Sequence, residues 1–311
     1  MIKKSLYFGN PAYLSFRLKQ LVIKKPEAKR DLPDISGNDY YAVVKTIPIE
    51  DIGMILLDNS QITITQALLS ALLNNNCAVI TCDEKHLPVG LLLPLTGHTV
   101  QNERFRHQLN ASLPLRKQLW QQTVAFKIRN QEAMLYYATG ERHKIMTNWA
   151  NTVKSGDPEN LEARAAAYYW KNLLPEYPGF VRGQEEDEPN NLFNYGYAIL
   201  RGIVARALVG SGLLPTLGIH HHNRYNAYCL ADDIMEPYRP FVDKVVVDIL
   251  RQGYGTELNP VVKQKLLSIP TEEVLIEKTR HPLMIAVSQT AAALAKCFNG
   301  ELRNLCYPSF E

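Results

Sequence analysis

Leu87-Pro-Val-Gly-Leu-Leu-Leu-Pro-Leu-Thr-Gly-His-Thr-Val-Gln-Asn102 is the stretch in which the hydrophobic pattern of this 311-residue chain changes period. Upstream of Pro94, short apolar, β-branched and aromatic segments alternate with turn signals, which is the mark of strands. Ser5 to Phe8 precedes Gly9-Asn-Pro11, and Tyr13 to Ile23 spaces its apolar residues by about two. Tyr41 to Ile47 follows, then Met54 to Leu57, which stops at Asp58-Asn-Ser60. One helix is expected among them, with Thr65 as its cap, an apolar stripe over Gln66 to Leu73 and Asn74-Asn-Asn76 as its stop. Cys77 to Cys82 then reads as a buried strand. Downstream of Pro94 the apolar residues recur with helical spacing. Arg116 to Asn130, Ala133 to Ala138, Leu161 to Leu174, Leu192 to Val209, Tyr238 to Arg251, Val261 to Leu267 and Leu283 to Phe298 all read as helices. Glycine and proline fall mainly between these stretches. The expectation is an α+β chain, with a small β-rich domain over residues 1–98 and a larger all-α domain over 99–311.

Composition narrows the class. Apolar residues make up 46% and charged residues 21%, a globular balance that excludes wholesale disorder. The longest apolar run, Leu87 to Leu95, is broken by prolines and falls short of the ~20 residues a membrane span needs. The opening MIKKSLYFGN has no apolar core of a signal peptide, so a cytoplasmic protein without a membrane partner is expected. Five scattered cysteines form no Cys-x-x-Cys pair, which argues against a zinc knuckle and for reduced thiols. Net charge is only +3, but it is unevenly spread. Residues 1–30 hold eight basic side chains against Glu27 alone. Residues 104–130 hold six (Arg104, Arg106, Arg116, Lys117, Lys127 and Arg129) and no acid. Such clusters suit phosphates, although a solvated face would look the same.

Three places could carry chemistry. In Asp157-Pro-Glu-Asn-Leu-Glu-Ala-Arg-Ala-Ala-Ala167, Asp157 and Pro158 signal a helix start, and Glu162 sits about one turn inside beside small residues. Gly218-Ile-His-His-His-Asn223 presents three histidines in a turn after a helix, each a possible ligand or a structural group. In Asp233-Ile-Met-Glu-Pro-Tyr-Arg-Pro-Phe-Val-Asp243, Asp233 and Glu236 are three apart and would share a helix face, where their repulsion calls for a cation or a proton. Arg239 is placed to neutralise one of them or to hold a phosphate. One imidazole with two or three carboxylates suits Mn²⁺ or Mg²⁺ better than structural zinc. A cation of that kind stabilises a phosphoryl group under displacement, and the basic clusters extend the reading to nucleic acid.

These residues also carry a resemblance. Gly218-Ile-His-His-His-Asn223, with a glutamate fifteen residues after the middle histidine, resembles the signature of the CRISPR adaptation integrases, the Cas one family. Leu161-Glu-Ala-Arg-Ala-Ala-Ala-Tyr-Tyr169 is similar to the family's first ligand block. Leu192 to Arg201 is similar to its helix before the histidine, and Ile47 to Leu56 to an N-terminal block. The blocks run in order over essentially the whole chain, and the ending Glu236-Pro-Tyr-Arg-Pro-Phe-Val-Asp243 looks most like the type II subfamily, found beside Cas nine. The resemblance implies a homodimer in which the N-terminal domain serves dimerisation and partner contacts and the helical domain is catalytic. It implies an endonuclease and integrase that inserts captured duplex DNA as new spacers, a 3′-hydroxyl attacking a repeat phosphodiester. Expected partners are double-stranded DNA, the small protein Cas two in a heterohexamer, and Cas nine. Matched block by block, the metal ligands would be Glu162, His221 and Glu236, with Asp233 as an accessory carboxylate. Many relatives have aspartate where this chain has Glu236, which lengthens the arm by one carbon. The rival expectation is a non-catalytic DNA-binding assembly subunit on the same scaffold.

Overall fold

The computed structural model describes residues 3–26, 41–183 and 188–310. Lys29 and Arg30 of the first basic run lie outside the described residues. The chain divides into two compact units, Met1–Leu95 and Thr96–Glu311.

In the first unit the strands are β1 (Lys4–Phe8), β2 (Ala12–Arg17), β3 (Gln20–Pro26), β4 (Tyr41–Pro48), β5 (Ile52–Leu57), β6 (Ile62–Ile64), β7 (Ala78–Cys82) and β8 (Pro88–Leu92), with helix α1 at Gln66–Asn74. Among the described residues they form two four-stranded sheets, in the orders β1-β5-β7-β8 and β4-β3-β2-β6. The first sheet is parallel through β1, β5 and β7, and β8 closes it antiparallel. Leu14 and Leu21 of one sheet, Ile55 and Val79 of the other, and Leu68 and Leu72 of α1 are buried in one shared core. Thr65 caps α1 as expected, its hydroxyl accepting from Leu68 N at 3.4 Å. The stretch Tyr13 to Ile23 is not one strand but the hairpin β2–β3. It folds back at Leu18-Lys19, which both take left-handed backbone at φ 51° and 59°. Hairpin turns of this kind ordinarily carry Asn-Gly, so Leu-Lys left no signal to read.

The second unit is helical: α2 (Gln101–Leu109), α3 (Leu113–Thr139), α4 (Lys144–Thr152), α5 (Leu161–Leu173), α6 (Asn190–Gly210), α7 (Cys229–Met235), α8 (Arg239–Arg251), α9 (Pro260–Leu266) and α10 (Leu283–Phe298). It departs from an all-α domain at one antiparallel hairpin, β9 (Glu273–Ile276) with β10 (Thr279–Pro282). Its turn, Glu277-Lys278, again takes positive φ without glycine. The two helical stretches read over Arg116 to Ala138 are one 27-residue helix, α3. Ser112 caps its start, accepting from Leu115 N, and Gly140 ends it at φ 75°.

Helix α3 packs on α4, α5 and α8 and on the 3-10 turn Glu236–Tyr238 that joins α7 to α8. Its Trp120, Val124 and Ile128 are buried, and so are polar residues, among them Lys127, Asn130 and Gln131. The amide of Asn130 ties three segments together. Its Nδ2 donates to Pro237 O at 2.7 Å and to Pro308 O at 3.0 Å, and its Oδ1 accepts from Phe310 N at 3.1 Å. Asn130→Ala would strand two carbonyls and an amide in a dry interior. The expected loss is roughly 3 kcal/mol of stability in urea unfolding; an unmoved midpoint would show that the tie contributes nothing.

Candidate active site

Glycine 218 opens the histidine turn because nothing larger fits. A Cβ there would sit 2.4 Å from His221 O and 2.8 Å from Asp233 Oδ2. The chain wraps around the Asp233 carboxylate, which is fully buried. Asp233 Oδ2 accepts from Ile219 N at 2.7 Å and from His220 N at 3.0 Å. Its Oδ1 accepts from His221 N at 3.2 Å and from the His221 ring, whose Nδ1–H donates at 2.5 Å. Three backbone amides and one imidazole thus take up both oxygens. Expected as an accessory metal carboxylate, Asp233 is occupied as the anchor of the turn. The Asp233 hydrogen bond, working against partial burial, raises the His221 imidazole above its ordinary pKa. With Nδ1 engaged, Nε2 is the nitrogen left to face outward.

The other two histidines do not turn away together, as alternation along an extended turn would have them. His220 stacks flat on the buried Trp120, ring centroids 4.1 Å apart, and burial followed by the neighbouring His221 lowers its pKa. His222 lines a cavity of about 350 Å³ with His221 itself, beside Arg116 and Arg224.

The carboxylates converge elsewhere. Asp157 accepts from Leu161 N and Glu162 N, each at 2.9 Å, and so fixes the first turn of α5 from outside it. Glu162 stands in that turn. Glu236 begins the 3-10 turn, where Pro237 and then Pro240 at the start of α8 break the helical phase after α7. Between the two carboxylates lies the ammonium of Lys127, 2.5 Å from Glu162 Oε1 and 2.6 Å from Glu236 Oε2. Arg239 holds the remaining oxygen, Glu236 Oε1, at 2.9 Å. Lys127 and Glu236 side chains are 7% and 5% exposed, so these charges are held out of water. Burial alone would depress the Lys127 ammonium, yet Glu236 and Glu162 hold it above the usual lysine value. Burial would likewise raise Glu236, but Arg239 and Lys127 pull it below the usual carboxylate range. His221 lies within electrostatic reach of both glutamates. Of the residues singled out in the sequence, Glu162 and Glu236 meet at Lys127, and His221 feels the charge of both; Lys127 itself had been counted among phosphate-facing cations.

The donor chemistry fits a hard divalent cation: two carboxylate oxygens and one imidazole nitrogen, with a cation already seated between the carboxylates. Glu236 Oε2 makes no well-directed hydrogen bond among the described residues, although the ammonium is beside it. As they stand, no three His, Cys, Asp or Glu side chains among the described residues are grouped closely enough to hold a metal. The ammonium takes the central position.

Comparison with known proteins identifies the family. The family model described as "CRISPR associated protein Cas1" matches residues 6–267. The chain belongs to the Cas1 family. It is 37% identical over 296 residues to a CRISPR-associated endonuclease Cas1 of Neisseria meningitidis serogroup C, covering 94% of this chain and 91% of the relative. A casposase bound to its integration product shares the fold at a TM-score of 0.77 and 17% identity, over 98% of this chain and 92% of that one. The fold also recurs in a Cas6-RT-Cas1–Cas2 complex, at a TM-score of 0.72 and 19% identity, over 97% of this chain and 35% of that one.

Beside the Cas1 carboxylates lies a second cavity, of about 250 Å³, lined by Lys127, Gln131, Arg182, Tyr197, Arg239 and Asp243 among others. Asp243 accepts from Tyr169 OH at 2.7 Å and from Tyr197 OH at 2.6 Å. Burial outweighs these two hydrogen bonds and pushes its carboxyl up to about 6. A carboxyl raised in the folded state binds its proton there while the unfolded chain, at about 3.9, has lost it. Its contribution to stability therefore falls as pH rises from about 4 to a little above 6. Asp243→Asn fixes the neutral form. In urea unfolding, wild type should lose stability relative to Asp243→Asn across that window and run parallel to it above pH 7; parallel curves throughout would show that Asp243 does not titrate there.

Proposed function

We propose that this protein is a DNA endonuclease and integrase that inserts captured duplex DNA as new spacers into a CRISPR array, by attack of a 3′-hydroxyl on a repeat phosphodiester. The carrying observation is that Glu162 and Glu236, brought from separate helices, meet across a single cation position beside an oriented imidazole. Membership of the Cas1 family supports the reading. Glu162, Glu236 and His221 Nε2 would hold Mn²⁺ or Mg²⁺, and such an ion supplies Lewis-acid stabilisation of the phosphoryl oxygens during displacement. Asp233 keeps His221 in the tautomer whose Nε2 lone pair is free, the second-layer arrangement typical of metal-bound histidine. Arg239 fixes the orientation of Glu236 through its other oxygen.

Duplex DNA is the substrate in this reading. Arg106, Lys117 and Arg129 are exposed in the second basic cluster, while Arg104 is engaged with Ser211 O at 2.5 Å and Lys127 is buried. Assembly follows the family: a homodimer joined through the first unit, the small partner Cas2 in a heterohexamer, and Cas nine alongside in a type II system, in the cytoplasm. No helix among the described residues is long and apolar enough to cross a membrane.

An integration assay with duplex DNA, a repeat-bearing plasmid and the small partner, with and without Mn²⁺, tests the reading. Glu162→Ala, Glu236→Ala and His221→Ala should each abolish strand transfer while duplex binding persists. His222→Ala should keep it. Asp233→Asn should lower it by about 10- to 100-fold, the usual effect of loosening a group behind a metal ligand. Full transfer in EDTA would sink the metal mechanism, and binding without transfer in wild type would favour the non-catalytic assembly subunit. Duplex affinity should fall linearly in log–log salt, by about 0.9 per phosphate contacted; a flat plot would exclude phosphate-led binding.

A further inference from the structure

Lys127 makes the site neutral. Glu162 and Glu236 contribute two negative charges, and Lys127 and Arg239 two positive ones, all within one ion-paired cluster. A dication added to this cluster would leave excess positive charge in a poorly solvated place, with an ammonium in the position its ligands must share. Entry of the metal therefore requires the ammonium to leave. Water is a poor destination, because the Lys127 side chain is 7% exposed. The adjacent cavity is a better one, since Lys127 is among its lining residues.

A receptor for the ammonium stands there. Gln131 is one turn further along α3, at the i+4 position that shares a face with Lys127. It is 4% exposed, lines the same cavity, and its Oε1 is buried with no hydrogen-bond partner among the described residues. A buried amide oxygen without a donor costs stability, and its position beside a cavity reachable by a neighbouring lysine gives that cost a use. The Asp243 carboxylate in the same wall adds an attractive negative charge. Arg182 and Arg239, also in the wall, oppose it. They are engaged, Arg182 with Asn190 and Asn194 and Arg239 with Glu236.

We propose that Lys127 is the resident cation of this site: it holds Glu162 and Glu236 together before metal binds, and a divalent ion enters by displacing its ammonium into the cavity, onto Gln131 Oε1. The inference rests on the metal-site reading above and adds to it a residue that sets the affinity of the site. No bond is made or broken; one set of ion pairs is exchanged for another.

Mn²⁺ binding, followed by the electron paramagnetic resonance of the free ion and by thermal unfolding with and without Mn²⁺, tests this without recourse to activity. Lys127→Met removes the competitor. It should bind Mn²⁺ about tenfold more tightly, the scale of one partly buried ion pair. It should melt lower than wild type in EDTA, because its two carboxylates lack a counter-charge, and gain more from Mn²⁺. Gln131→Met removes the landing place and should weaken Mn²⁺ by about threefold, the scale of one hydrogen bond. That loss should vanish in the Lys127→Met background, since the two residues act on the same ammonium. Unchanged or weaker Mn²⁺ binding by folded Lys127→Met overturns the displacement, and an equal Gln131→Met effect in both backgrounds overturns the landing place. Gln131→Met leaves the ion pairs intact, so if no Lys127 variant folds, an unchanged Mn²⁺ affinity in Gln131→Met alone overturns the proposal. Failure of the metal reading looks different: wild type would then show no saturable Mn²⁺ binding, or binding that survives Glu162→Ala and Glu236→Ala.

Discussion

A lysine ammonium held between two glutamates in the interior of a helical unit is the constraint on which the rest of this molecule turns. Removing a charge from water costs several kcal/mol, and only close opposite charges and good geometry repay it. Lys127, Glu162, Glu236 and Arg239 repay it jointly, and their positions must therefore be rigid. The fold supplies that rigidity with polar ties instead of apolar packing alone. Asn130, one turn from Lys127, pins the turn that carries Glu236 through the Pro237 carbonyl. Asp157 pins the turn that carries Glu162 through two backbone amides. Each of the two glutamates thus stands on a turn that a separate side chain fixes, so the ion pairs need not fix its backbone.

The histidine turn solves a different problem by the same means. A turn of three successive imidazoles has no regular hydrogen bonding of its own. Asp233 replaces it by accepting from the amides of residues 219, 220 and 221. The same carboxylate then takes the His221 ring, so backbone shape and ring orientation are set by one group. Gly218 is the condition for this, because its missing side chain lets the His221 carbonyl and the Asp233 carboxylate come so close. Trp120 receives His220, and Asp233 holds the His221 ring, which lies within electrostatic reach of both glutamates.

Much of this could be read from the residues alone, and the exceptions share physical causes. The change of period at Pro94 divided strands from helices because a buried face must repeat with its backbone, every second residue or every 3.6. Thr65, Ser112 and Gly140 punctuate helices by chemistry that is local in sequence. The two hairpin turns at Leu18-Lys19 and Glu277-Lys278 were invisible because their residues do not favour the left-handed backbone they adopt. Asp233 and Glu236 were legible as a pair three residues apart, but their separate duties were not. That difference arises at the 3-10 turn after Met235, where two prolines reset the helical phase. Lys127 was the deepest omission. A lysine amid basic neighbours reads as solvated, and only the approach of α5 and the 3-10 turn, both distant in sequence, turns it inward.

The glutamate at 236 makes sense in this setting. A glutamate has one more rotatable bond than an aspartate, and ordering it costs more side-chain entropy. Left to itself it would blur the position of the oxygens that a hard cation needs. Here both oxygens are taken, Oε1 by Arg239 and Oε2 by Lys127. Arg239 is three residues on, at the start of α8, so the backbone itself keeps its guanidinium beside Glu236. Lys127, on another helix at the end of a flexible stem, can leave by rotating that stem. One oxygen is thus fixed by a permanent partner and the other by an exchangeable one. A carboxylate held in this way keeps its place while its inner partner changes from ammonium to metal, which a carboxylate with two permanent partners could not do.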